Sequence, residues 1–237
     1  MRRNDYIIFG DTDTRAFGVG IYGDQLARAP ERDREYISVP GRNGDIINDN
    51  GRYKNITVAY KAYIIDEYNL NMRGLRNALF AKKGYQRLED TVNPEEYRLG
   101  EAIPFDIDEV GVLRAGEFTM EFNCKPQRFL KVGEQTIEIT ANTSIYSEYQ
   151  ETALPLIRAY GTGSFSIGGV AIQITSANVY TDIDCELMEA YKNTLATNCN
   201  GNIVLTNGKF PSLKSGENAV TLSGITKLEI QPRWWML

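Results

Sequence analysis

Histidine is absent from all 237 residues. That gap removes the Ser-His-Asp and Cys-His nucleophile pairs, the HExxH zinc motif and every histidine acid–base scheme. Cysteine is scarce. Cys124, Cys185 and Cys199 lie far apart with no CxxC pair, the pattern of reduced, mostly buried thiols and not of a disulfide or metal frame. No run approaches the roughly 20 apolar residues of a membrane span, and the residues after Arg2 and Arg3 are too polar for a signal-peptide core. The expectation is synthesis in a cytoplasm without secretion or membrane insertion, which empties the sequons at Asn55 and Asn142 of meaning. Basic charge is short as well, with 26 Lys and Arg, scattered, against 31 Asp and Glu and a formal net charge of -5. Nucleic-acid affinity comes from neutralised phosphates, so no specific nucleic-acid binding is expected.

What is present is an ordinary globular composition, enough for two modest domains or one large β-domain. The longest strand-like stretch is Tyr36–Ile65, which contains two Asn-Gly turn signals and reads as one large hairpin. In its second arm Ile56, Val58, Tyr60, Ala62 and Ile64 alternate with Asn55, Thr57 and Lys61, the period of a strand with one buried face. Tyr53 and Tyr63 interrupt the polar side and place rings on the outer face. A single strand from Arg52 to Ile65 would span roughly 40 Å, about twice the usual length, so a partner subunit is expected to cover part of it. Ahead of it, residues 6–9 and 16–22 read as opening strands and residues 24–35 as a charged loop or arm.

After the hairpin the period changes. Asp66 is placed to cap a helix over about 66–83, with Tyr68, Met72, Leu75 and Leu79 on one stripe, Lys82 and Lys83 in the last turn and Gly84 as the stop. This helix is expected to cover one face of the hairpin sheet. The pattern then returns to β, clearest where Phe118, Met120 and Phe122 alternate with Glu117, Thr119 and Glu121. Residues 125–134, with a proline and several charges, mark a boundary that gives domains 1–130 and 131–237. The second half carries short strand-like pieces at regular intervals, the signature of a β-sandwich or jelly-roll. Within it, Val179–Glu186 reads as a strand followed by a loop.

Without histidine, acid–base chemistry falls to carboxylates. Asp182, Asp184 and Glu186 alternate and would share one strand face, as would Asp106 and Asp108. Such sets suit Ca²⁺ or a glycosidase pair if buried, but the expectation is a solvated face opposite Ile183, Cys185 and Leu187. Asn48-Asp49-Asn50-Gly51 lacks the distal glutamate of a calcium loop and reads as a turn. PGRNGD, from Pro40 to Asp45, lacks the Gly-Lys-Ser/Thr ending of a phosphate loop. Trp234 and Trp235, as strand neighbours, point to opposite sides. One is expected to pack inward and the other against a domain or partner, with glycan stacking as the lesser reading. No catalytic residue, cofactor or metal site is assigned.

Several phrases in order, VPGRNGDI (39–46), RLEDTVNPEEYRL (87–99), FNCKPQRFL (122–130), YTDIDCELMEAY (180–191) and NGKFPSLKSGENAVTLSGITKLEIQPRWW (207–235), give the chain a resemblance to the distal tail (Dit) family of long-tailed, non-contractile phages. That resemblance runs nearly end to end. It implies a mainly β protein with one helix: an N-terminal domain that assembles into a hexameric ring and a C-terminal galectin-like β-sandwich projecting outward, the last residues packing back on the N-terminal domain. It further implies a non-enzymatic structural hub in the virion tail tip or baseplate, assembled in the host bacterial cytoplasm. The hub would join the tail tube protein to the tail-associated tip protein and, in many members, carry receptor-binding proteins. No inserted carbohydrate-binding module is visible. An acidic chain suits a ring through which DNA passes without sticking. On this reading Tyr53 and Tyr63 become candidates for the ring interface, and Trp234 and Trp235 for interdomain or partner packing. The alternative is a carbohydrate-binding adhesin acting through the C-terminal sandwich; a glycosidase using Asp182, Asp184 or Glu186 is a distant third.

Overall fold

The computed structural model describes residues 5–27, 29–105, 115–177 and 179–237. The chain forms two compact units, residues 1–128 with Leu237 and residues 129–236. It is mostly β with a single α-helix among the described residues. Asp106 and Asp108 lie outside them.

In the first unit the strands are β1 (Ile7–Phe9), β2 (Thr12–Asp13), β3 (Val19–Ala27), β4 (Arg32–Ile37), β5 (Ile46–Tyr53), β6 (Ile56–Ile64), β7 (Gln86–Asp90), β8 (Glu96–Ile103) and β9 (Gly116–Cys124), and helix α1 is Tyr68–Phe80. Seven of them order as β2-β1-β7-β8-β9-β6-β3 in one antiparallel sheet. β6 is its backbone: it pairs with β9 over its full length, from Ile56 opposite Cys124 to Ile64 opposite Gly116, and with β3 on the other side. Its alternation is the one its residues dictate, with Ile56, Val58, Tyr60, Ala62 and Ile64 buried. Tyr68, Met72, Leu75 and Leu79 of α1 join those side chains and Phe9, Leu88, Met120 and Phe122 in one core. The 24–35 segment is less of a loop than its charge suggests, since β3 extends to Ala27 and β4 starts at Arg32.

Three local expectations are corrected. Tyr36–Ile65 is not one hairpin: among the described residues β4 and β5 pair only with each other, and the chain then changes sheets at Lys54–Asn55 to enter β6. The run 52–65 is therefore two strands in two sheets. Asn48–Gly51 is not a turn but a β-bulge. Gly51 takes φ 71° and donates to Asp49 Oδ1 at 2.9 Å, and the pairing register shifts between Arg32 and Arg34. Asp66 does not cap α1. Glu67 occupies the cap position in a left-handed conformation, φ 48°, so the Asp66 carboxylate reaches only the Glu67 N–H, at 2.9 Å.

The second unit follows a junction strand, β10 (Arg128–Leu130), and holds β11 (Ile137–Ile139), β12 (Thr143–Ser147), β13 (Leu156–Tyr160), β14 (Gly163–Ile167), β15 (Val170–Ile174), β16 (Tyr180–Asp184), β17 (Glu189–Lys192), β18 (Thr194–Asn198), β19 (Ile203–Leu205), β20 (Gly216–Ser223), β21 (Lys227–Gln231) and β22 (Trp235–Met236). Two antiparallel sheets, β11-β21-β13-β16-β17-β18 and β12-β20-β14-β15-β19, face each other across a single core. Ile157, Ala159, Ile183, Leu228 and Ile230 come from one sheet; Phe165, Ile167, Ile172, Ile174 and Val220 from the other. This is a β-sandwich. The stretch after Glu186, expected as a loop, makes the β17–β18 hairpin instead.

Candidate assembly surface

The β4–β5 hairpin buries none of its own side chains, and only Asp33 and Tyr53 are even half-covered. Its free end is apolar on both faces, because apolar residues come in adjacent pairs and a strand sends neighbours to opposite sides. Ile37 stands opposite Ile46 and Tyr36 opposite Ile47, all four exposed, with Tyr36 60% and Ile47 57% accessible. Gly41 and Gly44 turn the loop between them with φ near 80°. Toward its base the hairpin is held by charge. Arg34 Nε donates to Asp49 at 3.0 Å, Arg52 Nε to Asp33 at 2.7 Å, and the Arg32 guanidinium lies 4.7 Å from the Tyr53 ring centre. The Gly51 N–H and Arg34 hold the Asp49 carboxyl below its ordinary pKa, as Arg52 does for Asp33. A two-stranded hairpin with no packed face is marginal in water by itself, and grouped exposed apolar side chains mark an interaction site. The adjacent-pair signal was present in the sequence; it is hidden when both arms are read as one alternating strand.

Tyr53 and Tyr63 do not share a surface. Tyr53 ends β5, whereas Tyr63 lies on the outer side of β6 in the other sheet, half-buried. The Tyr63 ring lies against the Tyr22 ring, centroids 5.0 Å apart, and over Gly20, where a Cβ would fall 2.5 Å from the ring. Tyr22 in turn donates to Glu117 Oε1 at 2.5 Å. Trp234 and Trp235 both pack within the second unit. Trp234 is buried in its core beside Tyr149, ring centroids 5.7 Å apart; Trp235 packs on the same core and donates its Nε1–H to the Thr152 carbonyl at 3.0 Å. The buried Trp234 ring offers no open face to a sugar.

The carboxylates of β16 are not a solvated face. Asp182 and Asp184 are each 3% accessible. Asp182 accepts from Arg158 Nε at 2.6 Å and from the Asn193 N–H at 3.0 Å. Asp184 takes a two-pronged contact from Arg233, at 2.9 and 2.8 Å, and the N–H groups of Glu186 and Leu187. Burial raises the Asp184 pKa, but Arg233 and those amides outweigh it and leave the carboxyl below its ordinary value. Glu186 stands 3.7 Å from Arg233. Each buried carboxylate thus serves an arginine of its own unit. No group of three or more metal-ligating side chains occurs among the described residues.

A β-rich unit with one helix, followed by a two-sheet sandwich, is a fold shared with solved phage tail-hub and baseplate chains. The structure is similar to that of the Dit protein of phage SPP1, a paradigm of the hub adsorption apparatus in phages infecting Gram-positive hosts, with a TM-score of 0.77 at 12% identity over 99% of this chain and 100% of that one. It is also similar to a chain of the phage p2 baseplate in its activated conformation with Sr, with a TM-score of 0.54 at 14% identity over 97% of each chain. The corresponding phage P2 baseplate structure with Ca matches with a TM-score of 0.51 at 13% identity. No protein-family model and no curated protein matches the chain.

Proposed function

We propose that this chain is a structural hub protein of a siphophage or prophage tail tip, with no catalytic role. The observation that carries the reading is the fold likeness to SPP1 Dit, which extends over both units and nearly every residue. In this reading six copies of the first unit close into a ring between the tail tube and the tail-associated tip protein. The second unit points outward and offers a platform for receptor-binding proteins. A closed ring needs two different patches on each copy. The β4–β5 hairpin, with its exposed Tyr36, Ile37, Ile46 and Ile47, is one patch, Tyr53 lies at its base, and the neighbouring copy is its occupant.

Native mass spectrometry and negative-stain microscopy of the purified chain test this directly. A six-copy ring with a central opening is the expected result. A strict monomer that also fails to associate with the tail tube and tip proteins would overturn the proposal.

A further inference from the structure

The first unit buries a cation that its own chain does not pair. Alternation along β8 puts Glu96, Arg98 and Gly100 on one side, and Arg98 stands directly opposite the core residue Leu88. Only 8% of Arg98 is accessible, and its buried Nη1 has no hydrogen-bond partner among the described residues. The carboxylate that acts on it, Glu96, is bonded elsewhere, accepting from Arg128 Nη1 at 3.2 Å.

The other neighbours of Arg98 supply no negative charge. Burial pushes the Cys124 thiol up to about 12, so it stays neutral at pH 7. Burial likewise raises the Tyr60 hydroxyl, which keeps its proton and donates it to Asp90 Oδ2 at 3.0 Å. Burial first, and then the Arg128 charge, hold the Arg98 guanidinium below its ordinary pKa, yet a guanidinium remains charged near neutrality.

Arg128 brings a second unused donor to the same place. The Lys125 N–H donates to the Leu99 carbonyl at 2.8 Å, which lays the following residues along β8. Arg128 then spends Nη1 on Glu96 and Nη2 on the Leu237 oxygen, at 3.1 Å, while its Nε is buried with no partner. Two guanidiniums therefore stand together, each with one buried N–H unspent. A buried polar group without a partner calls for one, and an unpaired buried charge is costly. Water could accept the hydrogen bonds but could not balance the charge. An oxyanion does both, because its several oxygens can take N–H donors from two guanidiniums at once.

We propose that Arg98 and Arg128 bind one small oxyanion, of the phosphate or carboxylate class, through Arg98 Nη1 and Arg128 Nε. Glu96 holds the Arg128 guanidinium in place, and the buried, neutral Cys124 and Tyr60 flank the site on the core side. The site belongs to the first unit alone and does not depend on the hub reading.

The test is thermal melting of the full chain at pH 7 in sodium phosphate and in sodium acetate, each from about 1 to 50 mM, a range that spans millimolar dissociation constants. Sodium chloride at equal ionic strength is the reference. At 50 mM at least one oxyanion should raise the parent's melting temperature by at least about 3 °C over chloride, the shift that millimolar binding gives a chain of this size. Arg98→Met and Arg128→Gln should each lose most of that rise while keeping the parent's circular dichroism. If Arg98→Met fails to fold, Arg128→Gln, at a half-buried position, carries the comparison. A response to phosphate, with broadening of its ³¹P line that either variant abolishes, assigns the phosphate class; a response to acetate alone assigns the carboxylate class. An equal rise in parent and variants would mark a general salt effect, and no rise over chloride with either anion would leave the guanidiniums to water. Each of these two results overturns the assignment.

Discussion

At the scale of single residues the decisive feature is what burial does to charge and thiols. Buried Asp184 on β16 pairs with half-buried Arg233 in the segment leading to Trp234, so removing the arginine strands a buried carboxylate. Arg233→Ala should destabilise the sandwich by about 3–5 kcal/mol, whereas Arg15→Ala, which breaks an exposed pair with Asp13, should change little. Urea titration of the full chain, followed by fluorescence of the two tryptophans, reads the difference. The pH dependence has a fixed sign. The folded carboxyl of Asp184 lies below its ordinary value, so its contribution is complete above the unfolded pKa of about 4 and is lost as pH falls through the lowered value. Asp184→Asn should flatten that acid limb and lower stability near pH 7. The cysteines divide in the same way. Burial pushes the Cys124 and Cys185 thiols up to about 12, while Cys199 is half-exposed. Iodoacetamide at pH 8 should therefore label Cys199 first and leave the other two intact until unfolding, as peptide mass spectrometry would show.

At the scale of elements, β6 and the β4–β5 hairpin are adjacent in sequence and opposite in character. β6 alternates strictly, is paired on both sides and carries the helix on its inner face. The hairpin has paired apolar residues, no covering layer among the described residues and ion pairs where a core would be. A close approach shapes the second unit: Gly133 is buried, and a Cβ there would meet the Trp234 nitrogen at 2.3 Å. The Arg233 N–H donates to the Gly133 carbonyl at 2.8 Å and the Leu130 N–H to the Trp234 carbonyl at 2.9 Å, so the two segments are tied backbone to backbone. Gly133→Ala should force them apart and cost about 1–3 kcal/mol by overpacking, visible as a lower melting temperature with the β-type circular dichroism retained at 20 °C or so.

At the scale of the whole molecule, the exposed hairpin is the place where fold and assembly separate. Ile37→Ser/Ile47→Ser removes apolar surface that touches no core, so the fold should persist with a change in stability within about 0.5 kcal/mol. If the proposed ring forms through this hairpin, its assembly should weaken at least about tenfold, some 1.4 kcal/mol, because the variant removes two of the four apolar side chains offered to the contact. Sedimentation velocity over a concentration series reads both. If the double variant assembles as the parent does, the hairpin is not the ring contact, and the Tyr22–Tyr63 surface is the next to alter.

The sequence by itself determined the class of fold, the inward face of β6, the stripe of α1 and the sandwich of the second unit. Each follows from local period, which sets the side to which a side chain points whatever it later touches. Only the tertiary structure decided where partners change. It split 52–65 between two sheets, turned Asn48–Gly51 into a bulge and gave the buried β16 carboxylates half-buried arginine partners. Arg158, 24 residues before Asp182, and Arg233, 49 residues after Asp184, have no local signature. The same period that places an aspartate outward cannot say whether water or a guanidinium waits there; strand order does, and strand order is a property of the folded chain.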